Sequence, residues 1–138
     1  DLGLLTSVYF LVFAAFQIPL GVLLDRFGPR RVLATLLLFA AAGGLAFGLA
    51  RDVTELALGR ALLGLGVSGC LMGSIKAFTL WFPLSRLATL NGWILAIGAL
   101  GAMAATAPVE AIAGASGWRM VFYVLAGCAA AISALIFF

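Results

Sequence analysis

Histidine is absent from the 138 residues. That absence removes the general base on which a serine nucleophile most often depends. Cysteine is scarce: Cys70 and Cys128 both fall inside apolar runs. They are expected to be small packing residues, and they suggest neither an oxidising compartment nor a metal site. Charge is scarce as well, at 9% of residues, while 65% are hydrophobic and the mean hydropathy is +1.25. A water-soluble fold of this size could not hide so much apolar surface. No basic stripe interleaved with exposed aromatics is present, so the net charge of +3 carries no signal for nucleic acid. Rings of acidic residues and a recognisable filter sequence are also missing, which weighs against a channel.

What remains is a succession of uncharged stretches, Leu2 to Leu24, Val32 to Ala50, Leu87 to Val109 and Met120 to Phe138. Each is long enough to cross a hydrocarbon core, which takes ~20 residues. A further stretch, Ala61 to Ile75, is bracketed by Arg60 and Lys76, as in the middle of a longer helix whose charged ends reach toward the interfaces. Residues 2–24, 32–50, 54–80, 87–108 and 118–138 are therefore expected to form five spans. The fold class is all-α, a polytopic transmembrane helix bundle, with one transmembrane domain over 1–138 and no residues left for a soluble domain. The chain opens on Asp1 and closes inside an apolar run at Phe137 and Phe138, so it is expected to belong to something longer. No basic segment precedes the first span as in a signal peptide.

Basic residues near span ends are retained on the cytoplasmic side. Arg26, Arg30 and Arg31 follow the first span, and Lys76 and Arg86 flank the turn after the third. The opposite turns carry Arg51 and Arg119 with Asp52, Glu55 and Glu110 nearby. This bias places the N-terminus outside and the C-terminus inside. Trp81 with Phe82 at the inner boundary and Trp118 at the outer one fit aromatic belts.

The 17 glycines supply small faces for close helix packing, as at Gly44 with Gly48 and Gly69 with Gly73. Pro19 should kink the first span beside Gln17 and Gly21. Gln17, Arg60, Lys76 and Asn91 are the strong polar groups within spans. Arg60 lies roughly 9 Å below the outer end of its helix, at 1.5 Å per residue, and a guanidinium there is costly unless it meets a wet cavity or a partner. Lys76 lies about 160° around the same helix and near its other end, where its stem should let the ammonium snorkel to the interface.

The run Gly21-Val22-Leu23-Leu24-Asp25-Arg26-Phe27-Gly28-Pro29-Arg30-Arg31 reads as a tight turn. Gly28 can take a backbone conformation closed to other residues, and Pro29 stops the incoming helix. It closely resembles the signature of the Major Facilitator Superfamily between its second and third helices, with Gly21, Asp25, Arg26, Gly28, Arg30 and Arg31 in register. Arg60, Gly64 and Gly66 resemble the family's second motif in its fourth helix, and Gly117-Trp118-Arg119 is similar to the entry to its sixth.

The resemblance implies that the five spans are helices two to six of twelve, with the first helix and the C-terminal half outside this chain. It implies secondary transport of a small solute by alternating access, without a cofactor, in a lipid bilayer, expected to be a bacterial inner membrane. A coupled proton or cation is implied as a second partner. The family's antiporter signature is unmatched: Gly92, Gly98 and Gly101 are present, but Pro108 follows Ala107. Symport or uniport is therefore favoured, with Arg60 suited to an organic anion or metabolite. Asp25 would latch the cytoplasmic side, pairing with the arginines and with a helix end of the other half. The pathway would be lined by Arg60, Gly64, Gly66, Gln17 and Asn91. Two other readings stand beside it. Gly66-Val67-Ser68-Gly69 spells the GxSG of intramembrane serine proteases, but lacks a base; a channel-like or purely structural helical bundle is the other.

Overall fold

A computed structural model describes residues 2–138 and resolves five long helices among them. They are α1 (Leu2–Phe27), α2 (Pro29–Leu49), α3 (Val53–Trp81), α4 (Leu87–Ser116) and α5 (Trp118–Phe137), with one 3₁₀ turn at Leu84–Arg86 before α4. All five are long and apolar enough to cross a membrane. The all-α bundle of five spans expected above is thus the observed architecture.

Two helix boundaries correct the expected ones. The turn read at Asp25 to Arg31 is helical except at Gly28, because a single residue suffices to reverse direction there. Gly28 sits at φ 80°, a region open to glycine. Its N–H donates to the Leu24 carbonyl at 3.1 Å, and Pro29, preset for a first helical position, opens α2 directly. The fourth helix does not stop at Pro108 but runs on to Ser116, so Glu110 lies inside α4 rather than in a loop. Its end is Gly117, at φ 84°. Pro19 likewise lies within the continuous α1.

α2 is the centre of the bundle, packed on α3 and on α5, while α1 packs on α3. Small residues permit these approaches. The Cβ that Gly43 lacks would stand 2.7 Å from the Leu63 backbone nitrogen, and that of Gly59 2.9 Å from the Phe47 nitrogen. Between α2 and α5 the ties are polar: Ser133 Oγ donates to the Ala34 carbonyl at 2.6 Å, Tyr123 to Gly48 at 3.1 Å and Arg119 to Ala50 at 2.9 Å. Such bonds serve well where no water competes for the groups. Leu20, Leu24, Val32 and Leu36 form the buried cluster where α1 meets α2. α4 stands apart: none of its residues is buried, and it touches α5 and, sparsely, α3.

Candidate functional site

Along α1, Gln17, Gly21 and Asp25 follow at four-residue intervals and so share a face. Along α3, Ser68, Met72 and Lys76 do the same. The two helices run parallel, and the faces meet at a constant offset. Gln17 Nε2 donates to the Ser68 carbonyl at 3.3 Å, and eight residues further on Lys76 Nζ lies 2.6 Å from Asp25 Oδ1. Between these contacts, Gly21 and Met72 line a cavity of about 320 Å³ that Gln17, Asp25, Lys76 and Thr79 also border. The site is thus a polar seam between α1 and α3, about 12 Å long at 1.5 Å per residue.

The seam revises two expectations. Asp25 pairs with Lys76 and not with the arginines, and Lys76 therefore does not simply snorkel. The reason is rotational: Asp25 belongs to the α1 face that looks at α3, whereas Arg26 projects elsewhere, its guanidinium 5.5 Å from the Phe27 ring centre. Arg30 and Arg31 start α2, and Arg30 donates from Nε to the Ile136 carbonyl at 3.0 Å and from a terminal nitrogen to the Phe137 carbonyl, at the end of α5. Lys76 was legible as an intramembrane cation. Nothing in the sequence gave the rotation that sets it against Asp25.

The other residues expected along the pathway are not gathered at the seam. Arg60 stands on α3 about 12 Å from Ser68 toward the opposite end, its guanidinium 4.9 Å from the centre of the Phe47 ring. Such stacking suits a cation shielded from water. Phe47 is buried among Phe122 and Trp118, with ring centres 4.3 and 5.8 Å away. Arg60 Nε is buried without a hydrogen-bond partner among the described residues, so part of its donor capacity is open. Asn91 Oδ1 on α4 is in the same condition. Gly64 and Gly66 lie at helix crossings, against the Tyr9 carbonyl of α1 and the Ala40 backbone of α2.

Ser68, the serine of the GxSG run, is 1% exposed and donates its hydroxyl to the Leu65 carbonyl at 2.6 Å. A nucleophile would need that proton taken by a base, and the sequence holds no histidine.

The family model described as Major Facilitator Superfamily matches residues 1–138. The chain is 34% identical over 125 residues to SauU of Cupriavidus necator, named as a probable sulfoacetate transporter, covering 91% of this chain and 29% of that protein. It is 36% identical over 130 residues to the nitrate/nitrite transporter NrtP of Nostoc punctiforme, covering 88% and 26%. It is 32% identical over 124 residues to the efflux pump aunC of Aspergillus niger, covering 90% and 24%. The chain thus spans under a third of the length of these relatives. No solved structure matches significantly.

Proposed function

The chain belongs to the Major Facilitator Superfamily, and from that premise we propose that it forms part of the N-terminal half of a secondary transporter that moves a small anionic solute by alternating access. The observation that carries this reading is the polar seam of α1 and α3. Both of its charges, Lys76 and Asp25, lie in this one half, so their pair fixes the shape of the end that the other half would meet in one arrangement and leave in the other. Arg60, with an open buried donor, is the second cationic group, and an anion would satisfy it. The names of two relatives, for sulfoacetate and for nitrate or nitrite, support an anion. The unmatched antiporter signature favours symport, with a proton or cation as the coupled partner, or uniport without one. The exposed length of α4 would meet helices of the longer protein, the first helix and the second half among them.

The test is uptake into vesicles by the intact protein, screened over sulfonates, carboxylates and inorganic anions. Arg60→Gln is expected to raise the concentration for half-maximal uptake about tenfold, the scale of one charge-assisted hydrogen bond. Uptake restricted to neutral or cationic solutes would reject the anion reading.

Orientation is proposed from the basic residues: the end bearing Arg26, Arg30, Arg31, Lys76 and Arg86 faces the cytoplasm of a bacterial inner membrane, with the N-terminus of the chain outside. In a background without Cys70 and Cys128, cysteines introduced at Phe27 and Ser85 are expected to react with impermeant thiol reagents from the cytoplasm alone. One at Ser116 should react only from outside. The opposite pattern of labelling would reverse the topology.

A further inference from the structure

A groove with a cavity volume of about 400 Å³ runs between α1 and α2 over a floor of α3, on a different flank of α1 from the seam. Phe16, Leu23 and Phe27 form one wall, Leu36 and Phe39 the other, and Leu62 and Leu65 the floor. The uncharged polar group within it, Thr35, donates its hydroxyl to the Arg31 carbonyl at 2.8 Å and so has no proton left to give a ligand. The walls are fixed: Phe16, Leu23 and Leu65 pack on the buried cluster of Leu20, Leu24, Val32 and Leu36.

Charge gathers at one end alone. Arg31 lines the mouth, is exposed, and forms no ion pair among the described residues. Arg26 lies over Phe27, itself a wall residue. The carboxylate nearest in sequence, Asp25, is engaged by Lys76 on the other face, so among the described residues no ion pair neutralises Arg31 at the mouth or Arg26 beside Phe27. From Arg31 to Phe39 is eight residues, about 12 Å along α2, against about 15 Å for half of a hydrocarbon core. An occupant that matches both features carries an anionic group at the membrane surface and an uncharged tail that descends through one leaflet.

We propose that this groove is a binding site for an anionic phospholipid of the leaflet facing the α1–α2 turn, its phosphate between Arg31 and Arg26 and one acyl chain along Phe16, Leu36 and Phe39. A helix of the longer protein or a second copy of the chain would fill the apolar walls and shield them from lipid, which lipid-borne quenching distinguishes. The site does not depend on what is transported.

The experiment is fluorescence quenching in the intact protein carrying Phe39→Trp, read against the same protein without that substitution. It is reconstituted in phosphatidylcholine vesicles with rising fractions of phosphatidylglycerol brominated on its acyl chains, or of phosphatidylcholine brominated likewise. The brominated anionic lipid is expected to reach half of its quenching at a fraction about fivefold lower than the zwitterionic one, the scale of one basic residue acting on an anionic lipid. Arg31→Gln should remove most of that preference, and Arg31→Lys should keep it. Equal quenching by the two lipids would overturn the proposal in favour of unselective filling by lipid tails. Absence of quenching by either would overturn it in favour of a groove covered by protein. Because Arg31 is exposed and unpaired, its substitution leaves the packed walls unchanged.

Discussion

Asp25→Asn in the intact protein is expected to reduce transport to background while insertion and expression are largely kept. Asparagine keeps the shape of the side chain but removes the charge that faces Lys76 at 2.6 Å. Lys76 is then left partly buried without an anion, and the arrangement of helices that depended on the pair loses its advantage over the alternative. The pair is too exposed to contribute much to folding, so the effect should appear in the balance of states. The structure also changes what is expected of Lys76→Gln. From sequence, snorkelling would spare most of the transport; as the partner of Asp25, Lys76 should be as sensitive as Asp25 itself. Exchanging the two, Asp25→Lys with Lys76→Asp, should recover a measurable part of the rate. Wild-type rates in Asp25→Asn would sink the latch, and full transport in Lys76→Gln would show that Asp25 works through a different partner.

Gly66→Val is expected to leave little folded protein, measured as the monodisperse fraction after mild detergent extraction. A Cβ at Gly66 would stand 2.6 Å from the Ala40 Cα, at the crossing of α3 over α2. Backbone cannot yield as a flexible side chain can, so the two central helices would have to separate. Gly66→Ala should be milder but still costly, on the order of 1–3 kcal/mol for overpacking, and visible as a lowered melting temperature. Gly127→Ala, where the added Cβ meets nothing within 4 Å, is the matched control and should be neutral. Equal behaviour of the Gly66 and Gly127 variants would mean that the α2–α3 crossing is looser than the structure has it.

The membrane class and the number of helices were legible in the chain because they depend on length and apolarity alone, which the bilayer sets. So was the family, since Gly21, Asp25, Arg26, Gly28, Arg30 and Arg31 carry their spacing in the sequence. The position of Gly28 was readable because a one-residue reversal followed by proline leaves few backbone solutions. The end of α4 was not, since Pro108 and Glu110 look like a terminus, yet the helix passes through both to Gly117.

What required the tertiary structure was the pairing of faces. Helical periodicity places Asp25 in line with Gln17 and Gly21, and Lys76 in line with Met72 and Ser68, but it does not say that the two lines meet. That is decided by how closely the backbones approach, through glycines such as Gly64 against the Tyr9 carbonyl of α1. The same holds for Arg60. Its depth along α3 followed from counting residues, whereas its place over Phe47 depends on the close α2–α3 crossing. Hydropathy and spacing act along one chain and can be read there; the rotation of one helix against another is a property of the packed bundle, and it settled which charges found partners.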